Sequence, residues 1–442
     1  MKSIVFIGAH LGYPMDRTPL GGGAMVGLHL IRDWAARGDV RLLVMGPGPE
    51  SPEPSVEYVR LPAGPAAPEL VRLSELEYAA FCRRFEAETT EHLLGRRSEF
   101  EPKDTVVFVN DIAESPDVTR IAGAGYRVVS LWHVDVVDYF NRLYLKEVVR
   151  PERLTRLFER LRRRGLAGLL PDMLRLIFEK QRRAVQGSDL LVVPSRQMAE
   201  ALERCYPAFA PRERVLVLPW GVWRDDFPED AIEAEAARLR RHYQLKPDSL
   251  AVMTLSRISP EKGLHILVEA LRLLEDSGRL PGRDVCLFAC GEAAFMRGKT
   301  YAARVRRAAE RLRRFRVFFP GYLPAFEKRA YLRLARLFVS PSIHESYGLT
   351  LVEALQAGVP ALASDHYGVR ESLRPEYGRA VPYRNPGERA PALAAALEEM
   401  LSDEAALRGM GLKAREAAEG MKFERTSETL LERALGLLEP AG

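Results

Sequence analysis

Short, largely apolar runs recur along this chain, each followed by a stretch whose apolar residues fall at helical spacing. In the first half the runs are Ile4–Ile7, Arg41–Met45, Thr105–Val109, Arg127–Trp132, Leu190–Pro194 and Val215–Leu218. In the second they are Leu250–Leu255, Asp284–Ala289, Arg316–Phe319, Leu337–Ser340, Val359–Ala363 and Arg379–Pro382. Strands apolar on both faces must be covered on both faces, and a helix after each strand covers them while returning the chain for a parallel partner. The pattern therefore predicts an α/β protein built from doubly wound parallel sheets. The segment Pro219 to Pro228 breaks the rhythm with Pro, Gly and charge, and a chain of 442 residues suits two or three domains. The boundary falls there: a first domain over 1–219 and a second from 220. Sheets of this kind bind ligands beyond the carboxyl ends of their strands, so functional residues belong in the loops that follow each run.

The loop after Leu337-Phe338-Val339 is the richest of these. It reads Ser340-Pro341-Ser342-Ile343-His344-Glu345-Ser346-Tyr347-Gly348-Leu349, passes into a helix from Gly348, and places Glu345 and Glu353 eight residues apart across the turn. A helix N-terminus offers unpaired N–H groups and a partial positive charge, so Gly348 and Leu349 suit a phosphate. Glu345 can accept hydrogen bonds from sugar hydroxyls and Glu353 from a ribose. Isolated carboxylates at such spacing are more often solvated; here the turn glycine and the following small, apolar run favour a nucleotide-sugar site. A second anion element follows Ala251-Val252-Met253-Thr254-Leu255, where Arg257 and Lys262 flank Pro260-Glu261 and Gly263 permits close approach. Two fixed cations can stabilise a departing diphosphate without a metal.

These motifs, in this order, resemble the retaining glycosyltransferases of family 4: the Arg257/Lys262 clamp upstream of the Glu345/Glu353 segment, and Ala354-Leu355-Gln356-Ala357-Gly358-Val359-Pro360 after it. The resemblance implies the GT-B architecture, two Rossmann-like domains facing across a cleft, with 220–424 binding the nucleotide-sugar and a C-terminal helix in 425–442 returning to the N-terminal domain. It implies a hexosyltransferase using a uridine diphosphate sugar and an unidentified acceptor hydroxyl, with no cofactor and no metal. It also assigns Gly22 and Gly23 of the run Gly21-Gly22-Gly23 to a loop closing over the donor, although a bare glycine run is by itself a common turn. His133 stands at the carboxyl end of the run ending in Trp132, where the family has a histidine contacting the donor sugar near the reacting bond. The family's next-residue aspartate is displaced here, since Val134 precedes Asp135. Its interdomain Pro-Asn-Gly-Val appears as Pro219-Trp220-Gly221-Val222. A sugar phosphorylase or nucleotide-sugar epimerase on the same architecture, or a non-catalytic carbohydrate-binding protein, remain open readings; the lack of a pyridoxal-lysine signature counts against the phosphorylase.

Composition excludes other classes. Net charge is +5, yet aromatic residues are not interleaved with the basic runs and no nucleic-acid motif is present, so nucleic acid is not an expected partner. Cys82, Cys205, Cys286 and Cys290 form neither a zinc pattern nor a disulfide framework. No run approaches the ~18 apolar residues of a membrane span and no leader pattern is visible, which predicts a cytoplasmic location. The insert from Asp138 to Gln186 is arginine-rich. A solvated helix packed by its leucine face is the plainer expectation for it, and peripheral membrane contact through 150–183 the alternative.

Overall fold

The computed structural model describes residues 1–14, 21–62, 64, 73–144, 149–223, 225–279, 284–293 and 298–439. Their strands form a seven-stranded and a six-stranded sheet. Every neighbouring pair is parallel. The first sheet contains β1 (Ser3–Ile7), β2 (Arg41–Gly46), β3 (Glu57–Arg60), β4 (Thr105–Val109), β5 (Arg127–Leu131), β6 (Leu190–Val193) and β7 (Val215–Val217), in the order β3-β2-β1-β4-β5-β6-β7. Val5 lies opposite both Leu43 and Val107, and all three are fully buried, as strands covered on both faces require. The second contains β8 (Leu250–Leu255), β9 (Val285–Cys290), β10 (Arg316–Gly321), β11 (Leu337–Ser340), β12 (Ala361–Ser364) and β13 (Gly378–Val381), ordered β10-β9-β8-β11-β12-β13. Strand order reverses at β1/β4 in one sheet and at β8/β11 in the other. Loops leaving those strands diverge to opposite sides, opening a crevice at each switch point.

The chain divides into two compact units, Met1–Trp220 with Phe423–Gly442, and Gly221–Lys422. Within the first, the helix Phe423–Leu435 is tied in by the Trp34 indole N–H, which donates to the Ser427 carbonyl at 3.3 Å, and by the Thr426 hydroxyl, which donates to the Pro219 carbonyl at 2.9 Å. The aromatic core of this unit stacks Phe6 on Phe108 with Trp34 against both. In the second unit, Leu267, Leu271 and Leu274 of the helix Leu264–Ser277 lie in one core with Leu393 and Leu397 of the helix Arg389–Ser402 and Val252 and Leu287 of the sheet. All four cysteines are buried and free.

The arginine-rich insert is two helices, Pro151–Arg163 and Asp172–Gly187, pinned by Phe158 stacked on Phe178 at 4.9 Å. Its basic residues divide into two groups. Lys180 is buried and pairs with Glu86 at 2.6 Å, Arg182 pairs with Glu159 at 2.7 Å, and Arg183 with Glu86 at 3.1 Å. These are structural charges. On the first helix, Arg153, Arg156, Arg160 and Arg163 are exposed. Among the described residues, no helix is long and apolar enough to cross a membrane.

Candidate active site

In the second unit the two loops at the β8/β11 switch point are locked to one another. After β8 the chain makes a 3₁₀ turn, Pro260–Lys262, then passes through Gly263 into the helix Leu264–Ser277. Gly263 has φ +66°, and a Cβ there would lie 2.0 Å from the Pro341 carbonyl oxygen, so only glycine fits so close an approach of the two backbones. Glu261 completes the lock. Its carbonyl accepts from the Ile343 N–H at 2.7 Å, and its buried carboxylate accepts from the Ser259 hydroxyl at 2.5 Å.

That lock brings Lys262 and Glu345 together. The Lys262 ammonium donates to Glu345 Oε2 at 2.5 Å, with both side chains largely buried. Burial pushes the Glu345 carboxyl up, but the charge of Lys262, helped by His366 and His344, outweighs it and holds the pKa below the ordinary carboxylate value. Arg257 lies on the same loop with Nη2 3.8 Å from Glu261 Oε1. The structure thus places each cation of the expected clamp beside a carboxylate. The helix Leu349–Gln356 begins at Gly348, whose φ of +88° is a left-handed geometry suited to glycine, and no side chain caps this end. A helix N-terminus without a capping side chain carries unpaired backbone N–H groups and a partial positive charge.

Glu353 sits one turn further along and is held by a residue that the sequence reading missed. Lys328, on the helix Ala325–Leu334, donates to Glu353 Oε1 at 2.6 Å. Burial would lower the Lys328 pKa, but the Glu353 carboxylate prevails and the ammonium stays above its ordinary value. One oxygen of Glu353 is therefore fixed by an internal cation.

In the first unit the carboxyl ends of β1, β4 and β5 gather a second set of polar groups. Asn110 follows β4, and its amide nitrogen donates to the Gly23 carbonyl at 3.2 Å while its oxygen lies 3.2 Å from His133 Nε2. Asp111 Oδ2 stands 3.3 Å from His10 Nδ1. Gly22 is the first residue of the helix Gly22–Arg37, and a Cβ on Gly23 would lie 2.8 Å from His133 Cδ2. The missing side chain of Gly23 is what gives the His133 ring its place. Burial depresses the His133 pKa and keeps the imidazole neutral near pH 7. Of the loop His10 to Pro19, residues 15–19 lie outside the described residues. Asp135 turns out to be structural: its carboxylate accepts from the Asp138 N–H at 2.9 Å, capping the helix Val136–Tyr144, and from the Gln181 amide at 3.1 Å. Asn110 had a sequence signal, the first residue after a switch-point strand. Lys328 had none, because only the tertiary fold brings it to Glu353.

Residues 235–417 match the model of the family described as glycosyl transferases group 1. A D-inositol 3-phosphate glycosyltransferase of Streptomyces bingchenggensis is 31% identical over 257 residues, covering 57% of this chain and 53% of that protein. The chain spans about half the length of the curated relatives it matches. Among solved structures, a sucrose-phosphate synthase from Thermosynechococcus elongatus superposes over 99% of this chain and 100% of its own, with TM-score 0.70 and 19% identity. The Anabaena protein HepE, in complex with UDP and glucose, superposes over 98% of this chain and 99% of its own, with TM-score 0.62 and 16% identity. Segment 235–417 thus carries a similarity to the glycosyl transferases group 1 family, and the two parallel-sheet units share the GT-B fold of these solved structures.

Proposed function

We propose that this protein is a retaining, metal-independent glycosyltransferase that moves a hexosyl unit from a uridine diphosphate sugar to an acceptor hydroxyl. The observation that carries the reading is the Lys262–Glu345 pair at the β8/β11 switch point, with Arg257 on the same loop. Cations there neutralise a departing diphosphate, and Glu345 receives hydroxyls of the donor sugar. Gly348 and Leu349 present the helix end to phosphate and Glu353 takes the ribose. Gly22, Gly23 and His133 serve the donor sugar from the first unit. Transfer is a front-face substitution: the bond from the anomeric carbon to the phosphate oxygen breaks as the acceptor oxygen bonds on the same face, and the acceptor proton passes to the leaving phosphate. The uridine assignment is supported by the UDP held by the HepE relative.

The test is a thermal-shift panel of nucleotide sugars followed by mass detection of a hexose added to candidate acceptors. A donor at a hundred times its dissociation constant stabilises the fold by about 2.7 kcal/mol. Release of free nucleotide diphosphate only when an acceptor is supplied is expected. Conversion of the donor without an acceptor would indicate an epimerase, and binding without turnover a carbohydrate-binding protein.

Part of the reading is peripheral contact with an anionic membrane through the exposed first helix of the basic segment 150–183, whose Lys180, Arg182 and Arg183 are held in internal ion pairs. Support comes from one helix face: Arg153, Arg156, Arg160 and Arg163 recur at helical spacing, with Leu157 52% exposed beside them and Leu169 81% exposed on the following turn. Co-sedimentation with phosphatidylglycerol vesicles, lost when the four arginines become glutamine, is expected. Equal recovery of both proteins in the supernatant would refute the contact.

A further inference from the structure

The hydrogen bonds around Asn110 determine which nitrogen of His133 carries the proton. Asn110 is fully buried, and its side chain has one NH₂ and one carbonyl oxygen to place. On one side lie the Gly23 carbonyl at 3.2 Å and the Asp111 carboxylate at 3.5 Å from Nδ2, and both groups only accept. The NH₂ must face them. The amide oxygen is then turned to His133, 3.2 Å from Nε2, and it too can only accept, so Nε2 carries the hydrogen. Gly27 makes room for the amide group, since a Cβ there would lie 2.9 Å from its oxygen and 3.0 Å from its nitrogen. With Nε2 protonated in a neutral ring, Nδ1 is left with its lone pair.

We propose that Asn110 is a positioning residue that locks His133 in the Nε2–H tautomer, so that His133 meets the donor sugar as a hydrogen-bond acceptor through Nδ1 and selects donors that present a hydroxyl there. The sugar contact rests on the proposed glycosyltransferase reading; the tautomer does not. The charged and titratable groups facing the ring are Asp111, which favours its protonation, and His10, which opposes it, while burial keeps it neutral. Asn110→Asp would place a carboxylate against Nε2–H, favour the imidazolium and remove the acceptor.

Two readouts test this. Nitrogen-15 NMR of the full-length protein, with His133→Gln identifying its signal among the eight histidines, should show the Nε2–H form in the wild type and a mixture of tautomers in Asn110→Ala. Asn110→Asp should move the acid limb of kcat/KM to higher pH by about one unit or more and lower the melting temperature, because its second oxygen replaces the NH₂ that faced the Gly23 carbonyl and the Asp111 carboxylate. An Nδ1–H form in the wild type overturns the proposal even if no variant folds, and so does an unchanged tautomer in folded Asn110→Ala. The predicted tautomers in a protein that turns over no nucleotide sugar would support the lock and refute the glycosyltransferase reading instead.

Discussion

Replacing Lys262 by methionine keeps most of the length of the side chain and removes the ammonium that Glu345 faces at 2.5 Å. A hydrogen bond to a charged group contributes ~1.5–3 kcal/mol, whereas breaking a wholly buried ion pair costs about 3–5 kcal/mol. The side chains here are 14% and 23% exposed, so water recovers part of the loss and ~2 kcal/mol is the expected destabilisation at pH 7. For a unit of roughly two hundred residues this lowers Tm by about 4–8 °C. The pH dependence has a definite sign. In the wild type the Glu345 pKa is depressed below 4.5, so its contribution is present above that value and is lost as pH falls through the folded-state pKa. In Lys262→Met, burial meets only the weaker pull of His366 and His344, so the Glu345 pKa rises and stability falls as pH rises through it. The gap between the two proteins should widen from pH 4 to pH 7. Differential scanning calorimetry on Lys262→Met, Glu345→Gln and the double variant should give a coupling of ~1–2 kcal/mol. Turnover at saturating donor should drop ~10²–10³-fold in Lys262→Met. A coupling near zero, with a pH-independent gap, would refute the account of the pair.

Three further outcomes follow from the same geometry. Gly23→Ala pushes a methyl to within 2.8 Å of the His133 ring, so turnover should fall ~10-fold or more while the circular-dichroism spectrum and Tm hold; unchanged kcat would remove Gly23 from the support of His133. Asp135 is buried and its pKa is pushed up to about 6 by burial and by Asp138, so the folded state binds this proton more tightly and loses stability as pH rises from ~4 to ~6. Asp135→Asn, whose oxygen can accept the same two hydrogen bonds, should therefore stabilise the protein by ~1–3 kcal/mol at pH 8 in urea denaturation and by little at pH 4; a loss of stability at pH 8 would contradict this. If Arg257 and Lys262 supply the positive charge, transfer should survive EDTA, and complete loss restored by manganese or magnesium would point to a metal-assisted reaction.

The strands apolar on both faces were legible because burial on both sides leaves an unbroken apolar run. The edge strand β3 was missed for the same physical reason: Glu57, Tyr58, Val59 and Arg60 are half-buried or exposed, so nothing in their composition marks a strand until Tyr58 is found opposite Val44. Turn chemistry was legible where backbone geometry demands it, as at Gly263 and Gly348. Partnerships between distant residues were not: Lys328 meets Glu353, and Asn110 meets Gly23 and His133, only once the fold brings their elements together. The basic insert reads as one charged stretch, and folding divides it into internal ion pairs at Lys180, which is buried, and at the partly exposed Arg182 and Arg183, and an exposed arginine face on the helix Pro151–Arg163.

Isothermal titration of free UDP into Glu345→Gln and Glu353→Gln tests most directly the assignment of the two carboxylates to sugar and ribose. Glu353→Gln leaves a ribose hydroxyl poorly paired and Lys328 without its counter-ion, so affinity should weaken by ~1–3 kcal/mol, roughly 5- to 150-fold. Glu345→Gln removes no contact to the nucleotide and releases Lys262 toward the diphosphate, so affinity should stay the same or tighten while turnover collapses. Loss of UDP affinity in Glu345→Gln with wild-type affinity in Glu353→Gln would contradict the account.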